Sequence, residues 1–440
     1  MYNNNMLNGK KIVAFICECN PFHEGHKRLI KSALKEGDIV IAIMSGDFVQ
    51  RGEVAIYDKY KRCKELLKNG VSLVIELPIE YSLSSAKYFA TYSVAVLNEL
   101  GFVDKLIFGS KINDIEKLSK LSDINLDLEN SNAKPYAKLN AFNTNSSNDH
   151  EITNDIDKVN IILKYLKEGY SYSYALSKVL GKKLSSNDIL AVEYISAIKR
   201  LNSKITPICI KRNNDIPTAS ELRKNIDAKI TNDNFSSILN YKLQLAKNSL
   251  YDLSNTYLMT NDLYNAILKT ADKNLSFTKR AKLLKTKNRT LASIKRVLLN
   301  IVIDINKNNI GILKNNANKN VSLDINTYIY TNSDMDMDRD ININKKTDSK
   351  IKIDYIRILG LKKEFTNYFK HIKIPYLLSY NNTAYKSFVK NFPKSNAIKL
   401  NKNGEYKLSP SIILNVFASD LYNLFSNSKN TEATTKTLIF

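Results

Sequence analysis

The sequence has few of the features that mark membrane-spanning or secreted proteins. Nowhere in its 440 residues is there an apolar stretch near the roughly 18 residues needed to span a membrane. Residues 1 to 5 contain neither a basic nor an apolar segment, so no secretory signal is expected. Cys17, Cys19, Cys63 and Cys209 lack zinc-binding spacing. These absences predict a cytoplasmic protein with reduced thiols and no membrane partner.

Histidine is scarce as well, and its distribution is informative. The chain has only 4 histidines, and two of them stand in the stretch His23-Glu24-Gly25-His26. The other two, His150 and His371, are distant in sequence and have no acidic cluster beside them. A metal centre built on histidine is therefore not expected.

Acidic residues are outnumbered by basic ones. Lysine and arginine total 66 against 43 aspartates and glutamates, which gives a formal net charge of +23 at pH 7. Such an excess favours a polyanionic partner, most simply a nucleic acid. Two alternatives remain open on charge alone. Lysine and asparagine are abundant throughout the chain, and a lysine-rich surface also keeps a protein in solution without binding anything.

Apolar, β-branched runs recur along the first half of the chain with helical segments between them. Helical periodicity is present in Tyr57–Asn69 and Ser84–Leu100, and Gly70 and Gly101 stand just past their ends as stop signals. This alternation predicts a Rossmann-like α/β fold, with a parallel sheet and helices on both faces. The predicted strands are residues 12–17, 39–44, 73–77, 106–108 and 205–210.

Changes in composition predict the domain organisation. Residues 1–230 are predicted to form the α/β domain, and a polar insertion at about 125–155 is predicted to interrupt it. A basic, mainly helical region follows at 231–305. Residues 306–350, rich in Asn, Asp, Lys and Ser, are predicted to be a disordered insertion, and residues 351–440 a last α/β or helical unit.

The His23–His26 stretch follows the first predicted strand and opens the amphipathic segment 27–36. A helix N-terminus offers unpaired backbone N–H groups and a positive dipole end, which suit phosphate. Gly25 allows a close backbone approach, and the two imidazoles, three residues apart, can reach the same phosphates. A lone His-x-x-His is more often a surface feature or half of a metal site. Its position at the carboxyl end of the first strand favours the phosphate interpretation.

Polar and cationic residues also follow the other predicted strands. Arg51 could clamp a phosphate or a carboxylate with its planar guanidinium, although a solvated arginine in a strand–helix connection is an equally ordinary interpretation. Since parallel strands end at one edge of a sheet, these residues are expected to surround one crevice. The candidates for contacts with phosphate or acetate are Ser45, Gly46, Gln50, Arg51, Thr218, Ser220 and Arg223.

From about residue 10 to about residue 425 the sequence resembles the bacterial tRNA(Met) cytidine acetate ligase family, a branch of the nucleotidyltransferase superfamily marked by His-x-Gly-His. Only the Asn-rich insertions fall outside the resemblance. The segments that carry it are Ile16–His26, Ser45–Gly52, Asp58–Arg62, Val74–Pro78, Phe108–Ser110, Asn187–Tyr194 and Tyr355–Gly360.

The resemblance implies a nucleotidyltransferase (HUP-type) domain that uses ATP to convert acetate to acetyl-adenylate and pyrophosphate. Mg²⁺ is expected to arrive with the nucleotide, because no pair of carboxylates in the sequence suggests a dedicated metal site. The acetyl group then goes to N4 of the wobble cytidine of elongator tRNA(Met), and no DNA partner is expected. The resemblance and the phosphate argument make His23 and His26 the catalytic candidates. The ATP-binding residues that it implies are Ile16, Cys17, Glu18, Cys19, Asn20, Pro21, Phe22, His23, Glu24, Gly25, His26, Lys27, Arg28, Leu29, Gly109, Asn187 and Arg212.

Two positions depart from the pattern of the family. Lys111 stands where an acidic residue is expected after Phe-Gly-Ser. Thr218-Ala219-Ser220 replaces the more usual Ser-x-Thr, a mild change because both positions keep a hydroxyl. The first departure removes a carboxylate and leaves open what that position does.

The best candidate for an RNA-binding surface lies between Thr278 and Arg296, which contains eight basic residues and no acidic ones. An apolar face formed by Leu283, Leu284 and nearby residues would let this segment dock as a helix with its cations outward. A solvated basic helix is the alternative. The predicted tRNA-binding residues are Lys279, Arg280, Lys282, Lys285, Lys287, Arg289, Lys295 and Arg296.

Two other functions compete with the ligase. An adenylyltransferase for a small phosphorylated metabolite would account for the first 230 residues but not for the basic helical half. A non-catalytic RNA-binding protein that retained a nucleotide site would account for both halves, but it would release no pyrophosphate.

Overall fold

A computed structural model describes residues 9–130, 155–310 and 351–440, apart from 169, 171, 182, 213–215, 352 and 429–430. Most of the predicted polar insertion and most of the predicted disordered insertion therefore lie outside the described residues.

The centre of the molecule is a mostly parallel sheet in the order β12-β8-β5-β2-β1-β6-β7, with β9 also beside β8. Among the strand pairs of this sheet that the structure describes, β5–β8 is antiparallel and the others are parallel. The strands are β1 (Ile12–Cys17), β2 (Ile39–Ser45), β3 (Phe48–Val49), β4 (Glu53–Val54), β5 (Leu73–Leu77), β6 (Lys105–Ser110), β7 (Thr206–Lys211), β8 (Ile356–Leu361), β9 (Tyr376–Leu377), β10 (Ile398–Leu400), β11 (Tyr406–Leu408) and β12 (Leu438–Ile439). The predicted parallel α/β fold is confirmed.

Helices flank this sheet and build the second half of the molecule. Their bounds are α1 (Glu24–Glu36), α2 (Lys59–Lys68), α3 (Ile79–Ser82), α4 (Ala86–Leu100), α5 (Ile115–Asn130), α6 (Asp155–Lys167), α7 (Tyr172–Val179), α8 (Ser186–Arg200), α9 (Ala219–Lys224), α10 (Ser236–Lys247), α11 (Asn261–Leu268), α12 (Phe277–Leu283), α13 (Leu291–Ile303), α14 (Asn382–Asn391) and α15 (Pro410–Phe425). In the part of the chain that the structure describes, no helix combines the length and apolar character needed to cross a bilayer.

Side chains alternate between the two faces of the sheet, and each face has its own apolar core. Val13 and Phe15 of β1 belong to the cluster that α1 and α2 cover. Ile12 and Ala14, on the opposite face, pack in the larger cluster with α4 and α8. Because both faces are buried, the strands are continuous apolar runs, which is why sequence periodicity located them.

Residues 351–440 do not form a separate unit, so this part of the predicted domain organisation is wrong. Strand β8 lies antiparallel against β5, and β9 and β12 pair with β8. Asn415 of α15 accepts a hydrogen bond from the backbone of Ile79 in α3. The α/β domain therefore does not end near residue 230, because its sheet is completed by strands from the far end of the chain.

Two further boundaries differ from the prediction. Helix α5 continues through Asn130, and Asn125, predicted to begin the polar insertion, is buried and donates to Glu193 and Ser196 of α8. The basic segment from Thr278 onward is two helices, α12 and α13, with a break between them. Thr290 caps α13 by accepting a hydrogen bond from the Ser293 amide, which starts a new helix there.

Candidate active site

The two motif histidines begin helix α1 directly after the carboxyl end of β1. His23 is the N-cap, and its Nδ1 accepts a hydrogen bond from the Gly25 amide at 3.0 Å. Nδ1 of His26 accepts from the His23 amide at 3.2 Å, and the two ring centroids are 4.0 Å apart. Because each Nδ1 is an acceptor, each neutral ring carries its proton on Nε2. That nitrogen is the one available as a donor to a phosphate.

His23 is uncharged at physiological pH. Burial is the largest cause that lowers the pKa of His23 to about 3, and the electrostatic interactions with His26, Arg212 and Arg223 lower it further. Its ring therefore donates a hydrogen bond without adding a full charge beside the helix terminus.

Two cysteines lie beneath this loop. Burial raises the pKa of the Cys17 thiol. Burial alone would also raise the pKa of Cys19, but the hydrogen bond with Cys17 and the interactions with His26 outweigh burial and lower the Cys19 pKa to about 5. Both cysteines are free thiols, as the sequence predicted.

A cavity of about 270 Å³ lies at the carboxyl ends of β1, β6 and β7, in front of the α1 N-terminus. It brings together segments that are far apart in sequence, which is the arrangement predicted for a crevice at one sheet edge. The predicted ATP-binding residues that line it are Ile16, Cys17, Glu18, Cys19, Asn20, His23, Gly25, His26, Arg28, Leu29, Gly109, Asn187 and Arg212.

The other four predicted ATP-binding residues are not among the residues that line the cavity. Glu24 and Lys27 form an exposed ion pair with each other at 3.3 Å. Phe22 stacks against the His26 ring, with centroids 5.6 Å apart, and Pro21 precedes it in the turn. Phe22 therefore packs against the imidazole of His26, whereas Glu24 and Lys27 face solvent.

Sequence reasoning missed the apolar wall of the cavity. Phe89, Phe108, Leu190, Tyr194, Ile210, Ile216 and Pro217 line it. A signal was present in α8, because Leu190 and Tyr194 follow Asn187 by three and seven residues and so share its helical face. Such a wall suits a flat, apolar-faced group such as a nucleobase.

Arg51 and Gln50 also line the cavity, as expected for residues that follow β2. The Arg51 guanidinium lies 3.2 Å from the Glu18 carboxylate, and the Arg51 amide donates to the same carboxylate. Arg212 is close enough that Arg51, after burial, contributes to lowering the Arg212 pKa. Two guanidiniums thus converge on one cavity, which is the arrangement expected around a polyanion.

Ser45 and Gly46 are not among the residues that line the cavity, so their position does not support the prediction that they contact phosphate or acetate. Ser45 is buried, and the carbonyls of both residues accept hydrogen bonds from Arg62. Arg62 also donates to the Glu18 carbonyl at 2.7 Å. These contacts fix the loop that follows β1 to the loop that follows β2.

The polar residues of α9 have structural partners. Thr218 caps this helix, and Ser220 accepts a hydrogen bond from Arg223. Arg223 donates to the Asn20 carbonyl at 2.8 Å and pairs with Glu53 at 3.3 Å. Thr218, Ser220 and Arg223 do not line the cavity, although their neighbours Pro217 and Ala219 do. Their position favours holding the histidine loop over direct contact with a ligand.

Asp188 explains how the chain tolerates Lys111. The Asp188 carboxylate accepts hydrogen bonds from the Lys111 amide at 2.8 Å and from the hydroxyls of Ser110 and Ser185. Burial would raise the Asp188 pKa, but these hydrogen bonds outweigh it and lower the pKa. Lys111 contributes its backbone amide to this contact, while its side chain is exposed.

The carboxylates near the cavity already have partners. Glu18 binds Arg51, and Asp188 accepts the donors of the β6 loop. Within the described ranges, no group of three or more His, Cys, Asp or Glu side chains comes together in a way that could hold a metal ion. The residues present therefore do not fit a metal site built by the protein alone.

The predicted RNA-binding residues divide into three sets. Lys279, Lys282, Lys285 and Lys287 are exposed. Arg289 pairs with Asp262, Lys295 with Glu53 at 3.0 Å, and Arg296 donates to the Gln50 carbonyl.

The prediction for Arg280 is wrong. Its side chain is 0% exposed and donates to Thr270, Lys273 and Asn240, so it joins the turns of the helical region.

Helix α13 borders the cavity through Ala292. Gly52, with φ +71°, makes this close approach possible, because a Cβ there would lie 2.6 Å from the Lys295 Cβ and 2.7 Å from the Arg296 nitrogen. The predicted RNA-binding region and the predicted nucleotide site thus share a wall.

Comparison with known proteins is consistent with this architecture. The sequence model of the family described as HIGH Nucleotidyl Transferase matches residues 10–227 and 216–326. The tRNA(Met) cytidine acetate ligase of Fusobacterium nucleatum is 33% identical over 345 residues, which are 70% of this chain and 80% of that protein. The enzyme of the same name from Clostridium perfringens is 31% identical over 356 residues, 70% and 82% of the two chains.

The fold also has a counterpart among solved structures. The crystal structure of Thermotoga maritima TmcAL bound with alpha-thio ATP has a TM-score of 0.70 and 22% sequence identity, and the match covers 98% of this chain and 99% of that one. At this identity the similarity concerns the fold. Taken with the motif, the cavity and the sequence relatives, these findings identify the chain as a member of the HIGH nucleotidyltransferase family and, within it, of the tRNA(Met) cytidine acetate ligase family.

Proposed function

We propose that this protein is a tRNA(Met) cytidine acetate ligase. It activates acetate with ATP, releases pyrophosphate, and acetylates N4 of the wobble cytidine of elongator tRNA(Met). The observation that carries the proposal is the convergence of His23, His26, Arg51 and Arg212 on one cavity in a chain that belongs to this family. The proposed tRNA substrate implies a cytoplasmic location for the protein.

In the first half-reaction an acetate oxygen attacks the α-phosphorus of ATP, and the bond from that phosphorus to the bridging oxygen breaks. The electrons of that bond leave with pyrophosphate. The protein supplies positioning and charge stabilisation. Nε2–H of His23 and Nε2–H of His26 are the donors to phosphate oxygens, and His26 is assigned to the charge that develops in the transition state. Arg51 and Arg212 neutralise the polyanion.

In the second half-reaction the cytidine N4 attacks the acyl carbon of acetyl-adenylate. The bond from that carbon to the adenylate oxygen breaks, AMP leaves, and the amine releases a proton. Because a stacked base is out of reach of such a cavity, the cytidine has to unstack and enter. Helix α13 borders the cavity, and the exposed Lys285 and Lys287 lie in the turn that precedes this helix.

Mg²⁺ is proposed to arrive with the nucleotide. Oxygen ligands of ATP commonly supply much of its coordination, and the carboxylates beside this cavity are already engaged. Bound in this way, the ion neutralises phosphate charge. The residues that would face the nucleotide are the two histidines and the two arginines named above.

The test is ATP–pyrophosphate exchange measured with and without acetate, followed by transfer of labelled acetate to elongator tRNA(Met). Exchange that depends on acetate, with label in the tRNA, is the expected result. Exchange that a small phosphorylated metabolite supports and acetate does not would instead indicate an adenylyltransferase for that metabolite. Binding of tRNA with no exchange under any condition would indicate a non-catalytic RNA-binding protein.

Binding of tRNA through the exposed lysines should depend steeply on salt. The logarithm of the association constant for tRNA falls linearly with the logarithm of the salt concentration. Replacing Lys282 and Lys285 together by alanine should make this slope less steep by about 2, because each phosphate contact contributes roughly one unit. Filter binding at several salt concentrations measures this slope. Replacing the buried Arg280 would mainly lower stability, so it is not a test of the same surface. An unchanged slope in the double variant would remove these lysines from the RNA-binding surface.

A further inference from the structure

Three tyrosine rings form a cluster at the surface between α6 and α7. We call Tyr165, Tyr170 and Tyr174 the tyrosine cluster. The rings of Tyr170 and Tyr174 are stacked, with centroids 4.4 Å apart and an angle of 15° between their planes. Tyr165 meets both edge-on at 5.8 and 5.7 Å. These contacts hold three aromatic rings in a defined arrangement.

The rings are not needed to fill the interior. On α7, Ala175 and Leu176 are buried in the core, and Tyr172 donates a hydrogen bond to the buried Asn125 of α5. Tyr174 lies on the other side of the helix and is 38% exposed. The inner face of α7 therefore anchors the helix, and its outer face presents an aromatic ring to solvent.

Cations accompany these rings. Nζ of Lys287 lies 5.0 Å from the Tyr170 ring centroid, and Nζ of Lys178 lies 5.3 Å from that of Tyr174. Lys287 comes from the turn between α12 and α13, within the exposed basic segment. The tertiary structure thus joins the tyrosine cluster to the surface that the proposed function assigns to tRNA.

We propose that the tyrosine cluster is a stacking site for an unpaired nucleotide of the RNA substrate. This inference rests on the proposed function, because it takes RNA to be the partner. The combination of an exposed aromatic ring with lysines around it is the arrangement by which proteins hold single-stranded nucleic acid, with the base on the ring and the phosphates at the cations.

Charge complementarity favours this occupant. The chain has a net charge of +23, and the neighbouring Lys279, Lys282 and Lys285 are exposed. An exposed lysine over a ring is a weaker contact than a stacked base, so Lys178 can move aside and pair with the phosphate of the bound nucleotide. An RNA duplex offers no unstacked base, so the cluster should discriminate between loops and duplexes.

The experiment compares two single variants of the full-length protein, Tyr174→Leu and Tyr174→Phe. Dissociation constants are measured for elongator tRNA(Met), for an RNA hairpin with an unpaired loop, and for a blunt RNA duplex of the same length. Tyr174→Leu should weaken binding of the tRNA and the hairpin about tenfold. Binding of the duplex should stay unchanged, and Tyr174→Phe should retain the affinity, because it keeps the ring.

Salt dependence separates stacking from charge. In Tyr174→Leu the slope of log K against log salt should equal that of the wild type, while the affinity falls at every salt concentration. A lysine variant would instead change the slope. Leucine keeps an apolar side chain against Tyr170, and acetate-dependent ATP–pyrophosphate exchange, which involves no RNA, reports whether the variant is folded.

Tyr241→Leu is the matched control, since Tyr241 is 64% exposed on α10. The proposal is overturned if Tyr174→Leu binds the hairpin as the wild type does, if the duplex loses as much affinity as the hairpin, or if Tyr241→Leu has the same effect. Failure of the wild type to perform acetate-dependent exchange would overturn the proposed reaction and leave the stacking result to be judged by RNA binding alone.

Discussion

Replacing His26 by alanine is expected to slow acetate-dependent ATP–pyrophosphate exchange by about 100- to 1000-fold, the usual effect of removing one donor that stabilises transition-state charge. The Nδ1 atom of His26 already accepts the His23 amide, so the Nε2–H group is the part that can face a phosphate. The alanine variant also loses one half of the capping box of α1. A loss of about 1 kcal/mol in the free energy of unfolding is expected from that alone.

Two conservative replacements separate the catalytic from the structural contribution of His26. Asparagine places an oxygen near the position of Nδ1, so His26→Asn should keep the cap and its stability but exchange as slowly as the alanine variant. Glutamine places an amide N–H near the position of Nε2, so His26→Gln should recover about tenfold of the lost rate, because part of the charge stabilisation returns. Stopped or continuous exchange assays and thermal unfolding give the two readouts.

The opposite order of these variants would contradict the assignment. If His26→Asn were faster than His26→Gln, the role of His26 would be to order the loop through Nδ1. Near-normal exchange in His26→Ala would remove this residue from the mechanism altogether.

Replacing Lys59 by methionine is expected to lower the free energy of unfolding by about 3–5 kcal/mol, the effect of leaving a buried charge without its partner. The Lys59 ammonium lies 2.8 Å from the Glu76 carboxylate and 3.0 Å from that of Glu432, and all three side chains are buried. It also donates to Ser419 of α15. This network joins α2 to the C-terminal residues that complete the sheet.

The destabilisation should be larger at high pH. Burial raises the pKa of Glu76 to about 7 although Lys59 lowers it, so its protonated form contributes stability that is lost as the pH rises from about 4.5 through about 7. Without Lys59 the carboxyl pKa rises further. At about pH 5.5 the Glu76 carboxyl can remain protonated and neutral, whereas at about pH 8 the folded state has to hold an unpaired charge.

Lys68→Met is the matched control for this prediction. Lys68 lies on the same helix and pairs with Glu65 at 3.2 Å, but both side chains are exposed. The control should change the free energy of unfolding by no more than about 0.5 kcal/mol. Urea unfolding at the two pH values measures both variants. Equal effects at the two sites, or no pH dependence for Lys59→Met, would contradict the claim that Lys59 stabilises the fold by pairing with the buried carboxylates.

Local sequence signals predicted much of the sheet and the first part of the site. Strands β1 and β5 have the predicted bounds, because a buried parallel strand is a continuous apolar run. The start of α1 was predicted from His23 and Gly25, since a helix N-terminus is specified by its cap and its first turn. Arg51 was predicted to face the crevice because it follows a strand that ends at the same edge.

Predictions that depended on contacts between distant segments failed more often. A run of basic residues could not reveal that Arg280 is buried, because its partners Thr270 and Asn240 lie outside helix α12. Ser45 and Gly46 were expected at the cavity, but Arg62 of α2 takes their carbonyls. The apolar wall around Tyr194 was missed because an aromatic residue on the apolar face of a helix is ordinarily assigned to the hydrophobic core.

The amino-acid sequence by itself determined the alternation of strands and helices and the histidine-bearing helix start, since neighbouring residues specify periodicity and caps. The tertiary structure alone decided that β8 pairs with β5, that Gly52 admits α13 to the cavity wall, and that Lys287 meets Tyr170. After the local helices and strands have formed, strand edges with unpaired backbone groups and uncovered apolar surfaces remain. Segments distant in sequence then pair with these groups and cover these surfaces, and the local sequence does not show which segment will do so.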